Sequence, residues 1–383
     1  MTAHMDRLVS ALDPAGRGDI SESVKDAVRA VPRHQFIPDV GLVRDDDGEQ
    51  CLIDREADPD AWYEAVYSRH AIVTQLDDGR TPLTALKGDY TSSASQPGTV
   101  ADLLHHLQAE PGMRVLEVGT GTGWTAALLS HLVGNQGEVT SIEVDAAVAE
   151  QAAKNLSDAG FHPRLVVGDG ALGCADGEPY DRVHVTCGIR AIPYAWVEQC
   201  RPGGVIVLPW RPGFGVGHCL RLEVGTDGTA QGRVVDFAEY MWMREQRPAS
   251  DETPPGERRQ YWTALDPRAF DQINAGVDLT VSALTGIVTT TNSGADEDGE
   301  WWRMWLSDPD VPRSWAAVTC RPGSMIAVQQ VGDRPLWDEV LLAYARWVSW
   351  GEPSWRDFGV TVTPEGQQVW LNRPDNVLSN QGA

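Results

Sequence analysis

Three glycines at alternate positions, Gly119, Gly121 and Gly123, sit in the run "RVLEVGTGTGWTAALLS", between an apolar stretch and an Ala/Leu-rich one. A glycine-rich turn from strand into helix lets a ligand lie against bare backbone, next to the positive end of the helix. Glu117 stands two residues before the first glycine. Glu143 closes the next apolar run, "GEVTSIEVD", and Asp169 closes a third, "PRLVVGDG". Three acids at the carboxyl ends of consecutive strands would line the crevice where open α/β sheets take their ligands. A pyrophosphate would be repelled there. The dinucleotide pattern GxGxxG also fails, because Trp124 holds the position that close helix–strand packing reserves for Gly or Ala. No Gly-Lys-Ser/Thr follows, so the phosphate loop of nucleotide triphosphatases is excluded as well.

These residues need elements to position them. From about residue 98 the chain reads as helix ("GTVADLLHHLQ"), strand ("MRVLEVG"), glycine turn and helix ("WTAALLSHLV"). Then come the strand "GEVTSIEVD", the helix "AAVAEQAAKNLSDAG" closing on Gly160, and the strand "PRLVVGDG". "DRVHVTCG" and "GGVIVLPW" add two strands around the short helix "PYAWVEQC". Apolar strands alternating with helices predict an α/β protein with a parallel, doubly wound sheet covered on both faces.

Residues 1–40 read as helical, with Leu8, Leu12, Val24, Val28 and Val31 loosely periodic, and 41–92 as mixed and polar, with the turn-rich "DDDGEQ" and "LDDGRTP". The polar stretch "REQRPASDETPPGERRQ" (244–260), with its three prolines, reads as a linker. Most of the 15 tryptophans lie beyond it, in runs such as "WWRMW" and "RWVSWGEPSW". They suit the core of a small second domain, or in part a groove for a peptide. "GIVTTT", "AAVTC" and "MIAVQQV" read as strands and "DEVLLAYARWVSW" as a helix, which makes that domain α+β. The expected organisation is an N-terminal helical and substrate-side region over 1–97, a ligand-binding core over 98–245 and an accessory domain over 246–383.

A chain of 383 residues suits two domains. Its formal charge of −24 repels phosphate backbones, so nucleic acid is not an expected partner. With no run of about 18 apolar residues and no charged-then-apolar leader, a soluble cytoplasmic protein without a membrane partner is expected. The six cysteines form no CxxC pair, so neither a zinc site nor a disulfide framework is expected.

The order Glu117, Val118, Gly119, Thr120, Gly121, Thr122, Gly123 resembles the E/DxGxGxG signature of S-adenosylmethionine-dependent methyltransferases. Their Rossmann-like class I sheet is the fold this implies. Their donor has no phosphate but an amino-acid group and a sulfonium, which tolerate a nearby acid. Glu143 could then accept from both ribose hydroxyls and Asp169 from the adenine amino group. More of the chain is similar to the protein-L-isoaspartate O-methyltransferase family. "VPRHQFIP" (31–38) is like its "VPRExFVP", and "SASQP" (93–97) stands where that family has "TISQP". The likeness continues through "RVLEVGTGTGW", "SIE" (141–143), "GDG" (168–170) and "PYDRVHVTCG" (179–188), and covers roughly residues 20 to 245.

Carried over by position, the resemblance places Ser95 on the family's active-site serine and Ser92, Ser93 and Ala94 on its cofactor-side neighbours. Gly119, Thr120, Gly121, Thr122, Gly123, Glu143, Val144, Asp169 and Gly170 fall among its cofactor contacts, beside Glu117. The cofactor implied is S-adenosyl-L-methionine, with S-adenosyl-L-homocysteine as product, and no metal. A carboxylate with an ordinary pKa of about 4 is already ionised at neutral pH, so methyl transfer to it needs no general base. Alignment and desolvation should dominate, with Ser93 and Ser95 donating to the carboxylate. Read alone, "SSAS" also fits a solvated loop. Arg190 is either a cation gripping that carboxylate or a surface arginine. Arg69 and His70 are weaker candidates.

Repair enzymes of the family run continuously into the serine motif with an "LPIGxGQTISQP"-like segment. Here "AIVTQLDDGRTPLTALKGDYTSSASQP" replaces it. The Trp-rich region from about 250 is expected to have no counterpart in those enzymes. Extended homologues with "VTQ…DG…SSSSQP"-like segments resemble this chain more closely. They methylate an aspartate in ribosomally made peptides (graspetides or lanthipeptides), beside a macrocyclase, and the ester then closes to an aspartimide. The leading expectation is therefore a peptide-maturing aspartyl O-methyltransferase. Isoaspartyl repair of peptides or proteins is the alternative, and a non-catalytic cofactor-binding scaffold a third.

Overall fold

The computed structural model describes residues 2–12, 20–44, 48–248, 256–272, 274–311 and 314–378. The chain forms two compact units that alternate along the sequence. Met1–Gly188, Pro193–Pro209 and Cys219–Ala230 make the first; Ile189–Ile192, Trp210–His218 and Gln231–Ala383 make the second.

The first unit opens with helices α1 (Thr2–Ser10) and α2 (Glu22–Ala30), which meet the helical expectation over the described part of 1–40; residues 13–19 of that stretch lie outside the described residues. Strands β1 (Val40–Arg44) and β2 (Gln50–Asp54), helix α3 (Pro59–Val66), and strands β3 (Ile72–Leu76) and β4 (Tyr90–Ala94) follow. The four strands form an antiparallel sheet in the order β2-β1-β3-β4. That sheet departs from the mixed, polar reading of 41–92. Its strands are five residues long and the burial of β1, β2 and β3 does not alternate (β2 runs half-buried, exposed, exposed, buried, half-buried), so pairing rather than periodicity defines them.

Helix α4 (Pro97–Leu107) leads into β5 (Arg114–Val118), α5 (Trp124–Val133), β6 (Glu138–Glu143), α6 (Ala146–Asp158), β7 (Arg164–Val167), β8 (Tyr180–Val185), α7 (Ala195–Glu198), β9 (Cys200–Trp210) and β10 (His218–Val224). Val115, Leu116, Val183, Val185, Ile206 and Val207 are all sealed from solvent, as expected of strands covered on both faces. β5 pairs in parallel with β6 and β8, β6 with β7, and β8 with β9, in the order β10-β9-β8-β5-β6-β7. The chain starts at β5, moves outward through β6 and β7, then returns to β8 on the other side of β5. The carboxyl end of β5 is thus the switch point where such sheets bind ligands. Asp145 caps α6 by accepting from Ala147 N (3.0 Å) and Val148 N (3.2 Å). Gly160 ends the same helix region with φ +80°.

The second unit holds β11 (Ala230–Phe237), β12 (Arg259–Thr263), α8 (Gly276–Thr285), β13 (Val288–Asp296), β14 (Gly299–Ser307), β15 (Trp315–Cys320), β16 (Ile326–Val331), α9 (Leu336–Ser349), β17 (Phe358–Thr363) and β18 (Gly366–Leu371). β17 and β18 form a hairpin, with β11 beside β17. The other strands make an antiparallel sheet in the order β12-β16-β15-β14-β13, and α8 and α9 bury Val277, Val281, Trp337 and Val340 against Met304, Leu306 and Val318. Of the stretch read as a linker, residues 249–255 lie outside the described residues. The tryptophans divide: Trp337, Trp347 and Trp370 are buried, whereas Trp262 and Trp350 are exposed. No helix among the described residues is long and apolar enough to cross a membrane.

Trp347 donates its Nε1–H to Pro353 O (3.0 Å) and stacks on Tyr344 at 6.0 Å. Replacing it by alanine removes a large buried ring and a satisfied donor. Trp347→Ala should cost about 4 kcal/mol of stability, read by urea titration of the far-ultraviolet circular dichroism.

Candidate functional site

β5 stops at Val118 because the next residues take up conformations that only glycine adopts easily: φ is +97° at Gly119, +54° at Gly121 and +90° at Gly123. Gly119 N and Thr120 N both donate to Ile142 O of β6 (2.8 and 3.2 Å), and Gly123 N closes the turn on Thr120 O (2.9 Å). Thr186, just past β8, donates its hydroxyl to Val118 O (3.0 Å) and Gly119 O (2.5 Å). A side chain on Gly119 would collide with that hydroxyl. One on Gly123 would press on Leu156 of α6 at 3.1 Å, and Asn155 of the same helix holds Thr122 O at 3.0 Å. Trp124, which breaks the dinucleotide pattern, is buried and donates to Val31 O (3.1 Å).

The three acids have different surroundings. Glu143 ends β6 half-buried. Its Oε2 accepts from Gly121 N (3.0 Å) and its Oε1 from Asp145 N (3.1 Å), so the carboxylate is aimed at the glycine turn and keeps lone pairs for further donors. Asp169 is exposed and accepts from Ala171 N (2.9 Å), capping the turn Gly170–Leu172. Gly170 is buried, with its carbonyl accepting from Trp196 Nε1 (2.8 Å), and Val144 is 42% exposed. Glu117 departs from its expected position facing a ligand: it lies inside β5, sealed from solvent. Ser141 donates to its Oε2 (2.5 Å), and Thr120 Oγ1 lies 2.6 Å from the Ser141 hydroxyl. Burial pushes the Glu117 carboxyl up to about 8. His184, its register partner on β8, is pulled down to about 3 by the same cause, so both are chiefly uncharged at neutral pH.

The serines come from a strand, not a loop. Ser92 and Ser93 belong to β4, where Ser93 pairs with Val73 and the buried Ser92 accepts from Thr74 Oγ1 (3.2 Å). Ser93 O lies 3.5 Å from where a Cβ on Gly121 would stand, so this strand adjoins the glycine turn. Ser95, half-buried, links β4 to α4.

Sequence reasoning missed what holds that link. Arg33, sealed from solvent, donates to Val66 O (2.6 Å), His70 O (3.2 Å), Ala94 O (3.1 Å) and Ser95 O (2.9 Å). Its guanidinium also lies 5.5 Å from the Trp124 ring. An arginine directly after Val31 and Pro32 in "VPRHQFIP" was the available signal. Arg190 lies in the second unit, where Gln246 Oε1 accepts from its backbone N–H (2.8 Å) and Gln367 Nε2 donates to its carbonyl (2.9 Å). Arg69 is exposed, and His70 offers its carbonyl to Arg33.

A cavity of about 930 Å³ at the opposite ends of the strands, lined by Arg114, His131, His162 and Arg164, contains none of the expected site residues. Among the described residues, no group of three or more His, Cys, Asp or Glu side chains is placed to hold a metal ion.

Residues 67–229 match the model of the family described as Protein-L-isoaspartate(D-aspartate) O-methyltransferase. Protein-L-isoaspartate O-methyltransferase 1 of Archaeoglobus fulgidus is 34% identical over 192 residues, covering 50% of this chain and 73% of that protein. The protein-L-isoaspartate O-methyltransferase of Methanothrix thermoacetophila is 32% identical over 205 residues, covering 53% and 79%. A solved structure described as a protein-L-isoaspartate O-methyltransferase superposes with a TM-score of 0.56 at 20% identity, over 96% of this chain and all of the other. That likeness of fold reaches far beyond residue 250. It corrects the expectation that the Trp-rich part has no counterpart in proteins so described.

Raising a carboxyl's folded pKa means that folding favours its protonated form, so ionisation costs stability as pH climbs. The cost begins near the ordinary value of 4.5 and is complete above about 8. Glu117→Gln keeps the shape and removes the proton equilibrium. Its melting temperature relative to the parent should therefore rise between those two pH values and level off above; a difference that does not change with pH would refute the assignment.

Proposed function

The chain belongs to the protein-L-isoaspartate(D-aspartate) O-methyltransferase family, and on that premise we propose that it esterifies an isoaspartyl or aspartyl carboxylate in a peptide, with S-adenosylmethionine as donor. The observation that carries this reading is the glycine turn at the carboxyl end of β5, left bare by crowding at Gly119 and overlooked by the Glu143 carboxylate. The fit is chemical. The turn after β5 carries no side chain at three positions, and Glu143, which keeps lone pairs beside it, is an acceptor suited to ribose hydroxyls. Bound there, S-adenosylmethionine supplies a methyl group on a sulfonium, open to in-line attack.

The protein's own part is to position the acceptor. A carboxylate nucleophile is already ionised, so no residue needs to take a proton. Ser93 and Ser95 hold it as donors, and Arg33 fixes their backbone by gripping Ala94 O and Ser95 O. Desolvation in a site flanked by the buried β5–β8 row strengthens that alignment.

One observation favours a second reading, methylation of an ordinary aspartate in a macrocyclic ribosomal peptide. The segment between β3 and β4 is a built excursion, clasped at its neck where Asp77 N donates to Asp89 O (2.8 Å) and Asp89 N to Asp77 Oδ1 (2.9 Å). It precedes the serines directly and reshapes what can approach them.

Mass spectrometry after incubation with the donor should show one added methyl on a linear isoaspartyl peptide. Methylation of a macrocyclic aspartyl peptide alone would move the assignment to the second reading, and methylation of neither would remove both. Ser95→Ala should lower kcat/KM by roughly ten- to a hundredfold, the worth of a hydrogen bond to a charged group, while calorimetric affinity for S-adenosylhomocysteine stays within about twofold. Gly119→Ala should behave oppositely and abolish the binding heat.

A further inference from the structure

The strand that carries the serines does not pair evenly with its neighbour. Val73 stands opposite Ser93, Gln75 opposite Ser92 and Leu76 opposite Tyr90, so β3 holds an extra residue at Thr74 and β4 one at Thr91. Opposed bulges so close together re-aim the side chains between them. Gln75, half-buried, leaves its own sheet and donates from Nε2 to Oδ2 of Asp145 (3.3 Å), the residue that caps α6. The helix start does not need this bond, because Asp145 Oδ1 already accepts from Ala147 N and Val148 N.

Both ends of the Gln75 amide are engaged. Its Oε1 accepts from Thr91 Oγ1 (2.8 Å), and the same hydroxyl accepts from Asp78 N (3.0 Å). Asp78 needs that support. With Asp77 before it and Gly79 after it, it belongs to a left-handed run with φ of +50°, +55° and +82°. Residues that carry side chains visit this region singly, so two in succession persist only where neighbours hold them. A Cβ on Gly79 would touch the Gln75 amide at 3.4 Å, so this turn of the excursion lies against it. On the other side, Asp145 N donates to Glu143 Oε1 (3.1 Å), and Glu143 Oε2 accepts from Gly121 N (3.0 Å). Residue by residue, hydrogen bonds run from the neck of the excursion through Thr91, Gln75, Asp145 and Glu143 to the glycine turn. Every member lies in the first unit.

We propose that Gln75 is a positioning residue that joins the excursion before the serines to the carboxylate beside the glycine turn, so that cofactor and peptide bind cooperatively. That cooperativity rests on the methyltransferase reading above. A ligand that fixes Glu143 also fixes Asp145, and through the Gln75 amide it steadies the strained turn from which β4 sets out. By linkage, a peptide that settles the excursion raises cofactor affinity by the same factor. Loss of a glutamine that merely packed would weaken each ligand and leave that factor alone.

The test uses the full chain, S-adenosylhomocysteine and a short isoaspartyl peptide, with binding read by calorimetry and amide exchange read over residues 77–91. In the parent, S-adenosylhomocysteine should tighten peptide binding about tenfold, the worth of one hydrogen bond to a charged group, and slow that exchange severalfold. Gln75→Met keeps the length of the side chain without its hydrogen bonds. It should bring the factor below about twofold and remove the added protection, while S-adenosylhomocysteine still binds. Thr91→Val cuts the link on its other side, at nearly constant shape, and should do the same. A tenfold factor that survives in both variants, with each ligand bound more weakly, would overturn the positioning role. Heat from S-adenosylhomocysteine without added protection in the parent discards the link and keeps the cofactor site. No heat in the parent discards the methyltransferase reading and the link together. Protection that both variants abolish, with no peptide binding, keeps the link and discards the isoaspartyl substrate.

Discussion

Crowding at one backbone position organises the first unit's crevice. Between Ile142 O on β6 and the Thr186 hydroxyl after β8 there is no room for a side chain at residue 119, so the chain leaves β5 along the path that Gly119 permits. Gly123 repeats the constraint against Leu156, which seats the start of α5 close to α6. Two strands and a helix thus agree on one turn. The carboxylate of Glu143, held by Gly121 N and Asp145 N, is a consequence of that agreement, since it can reach the turn only if the turn stays bare. Sterics come first here and electrostatics follow.

The buried row behind the turn obeys a different rule. Glu117 and His184 lie side by side in register with no compensating charge, and burial keeps each in its neutral form. Thr120 and Ser141 extend this row with hydroxyls. This neutral polar layer lies behind the switch point and leaves Glu143 and Asp169 as the acids at the crevice. The acid that looks most like a ligand contact from its place before the glycines is therefore the one most withdrawn from solvent.

The strands of the central sheet were legible because both of their faces are covered, which writes them as continuous apolar runs, and α6 was legible from its Ala-rich run and Gly160 at its end. The sheet β2-β1-β3-β4 was not, since five-residue strands with irregular burial carry no period and depend on partners remote in sequence. Burial at Glu117 was hidden for a related reason: a strand's last residues look alike whether the neighbouring strands stop before or after them. The tryptophans of the second unit suggested a core, yet Trp301 spreads over Gly294 across a hairpin and Trp305 divides between Asn292 there and Trp315 on the next strand, relations composition does not express. The role of Arg33 is invisible in the sequence, because its partners are carbonyl oxygens and any residue supplies one.

The Arg33 clamp leaves an uneven trace across many sequences of the family. Val66, His70, Ala94 and Ser95 meet the guanidinium only through their backbones, so each can drift in identity without loosening the clamp, whereas position 33 cannot. The constraint is one-sided. Statistical coupling between aligned columns would miss it altogether, although it ties the first forty residues to the serine strand and the chain before it through four hydrogen bonds.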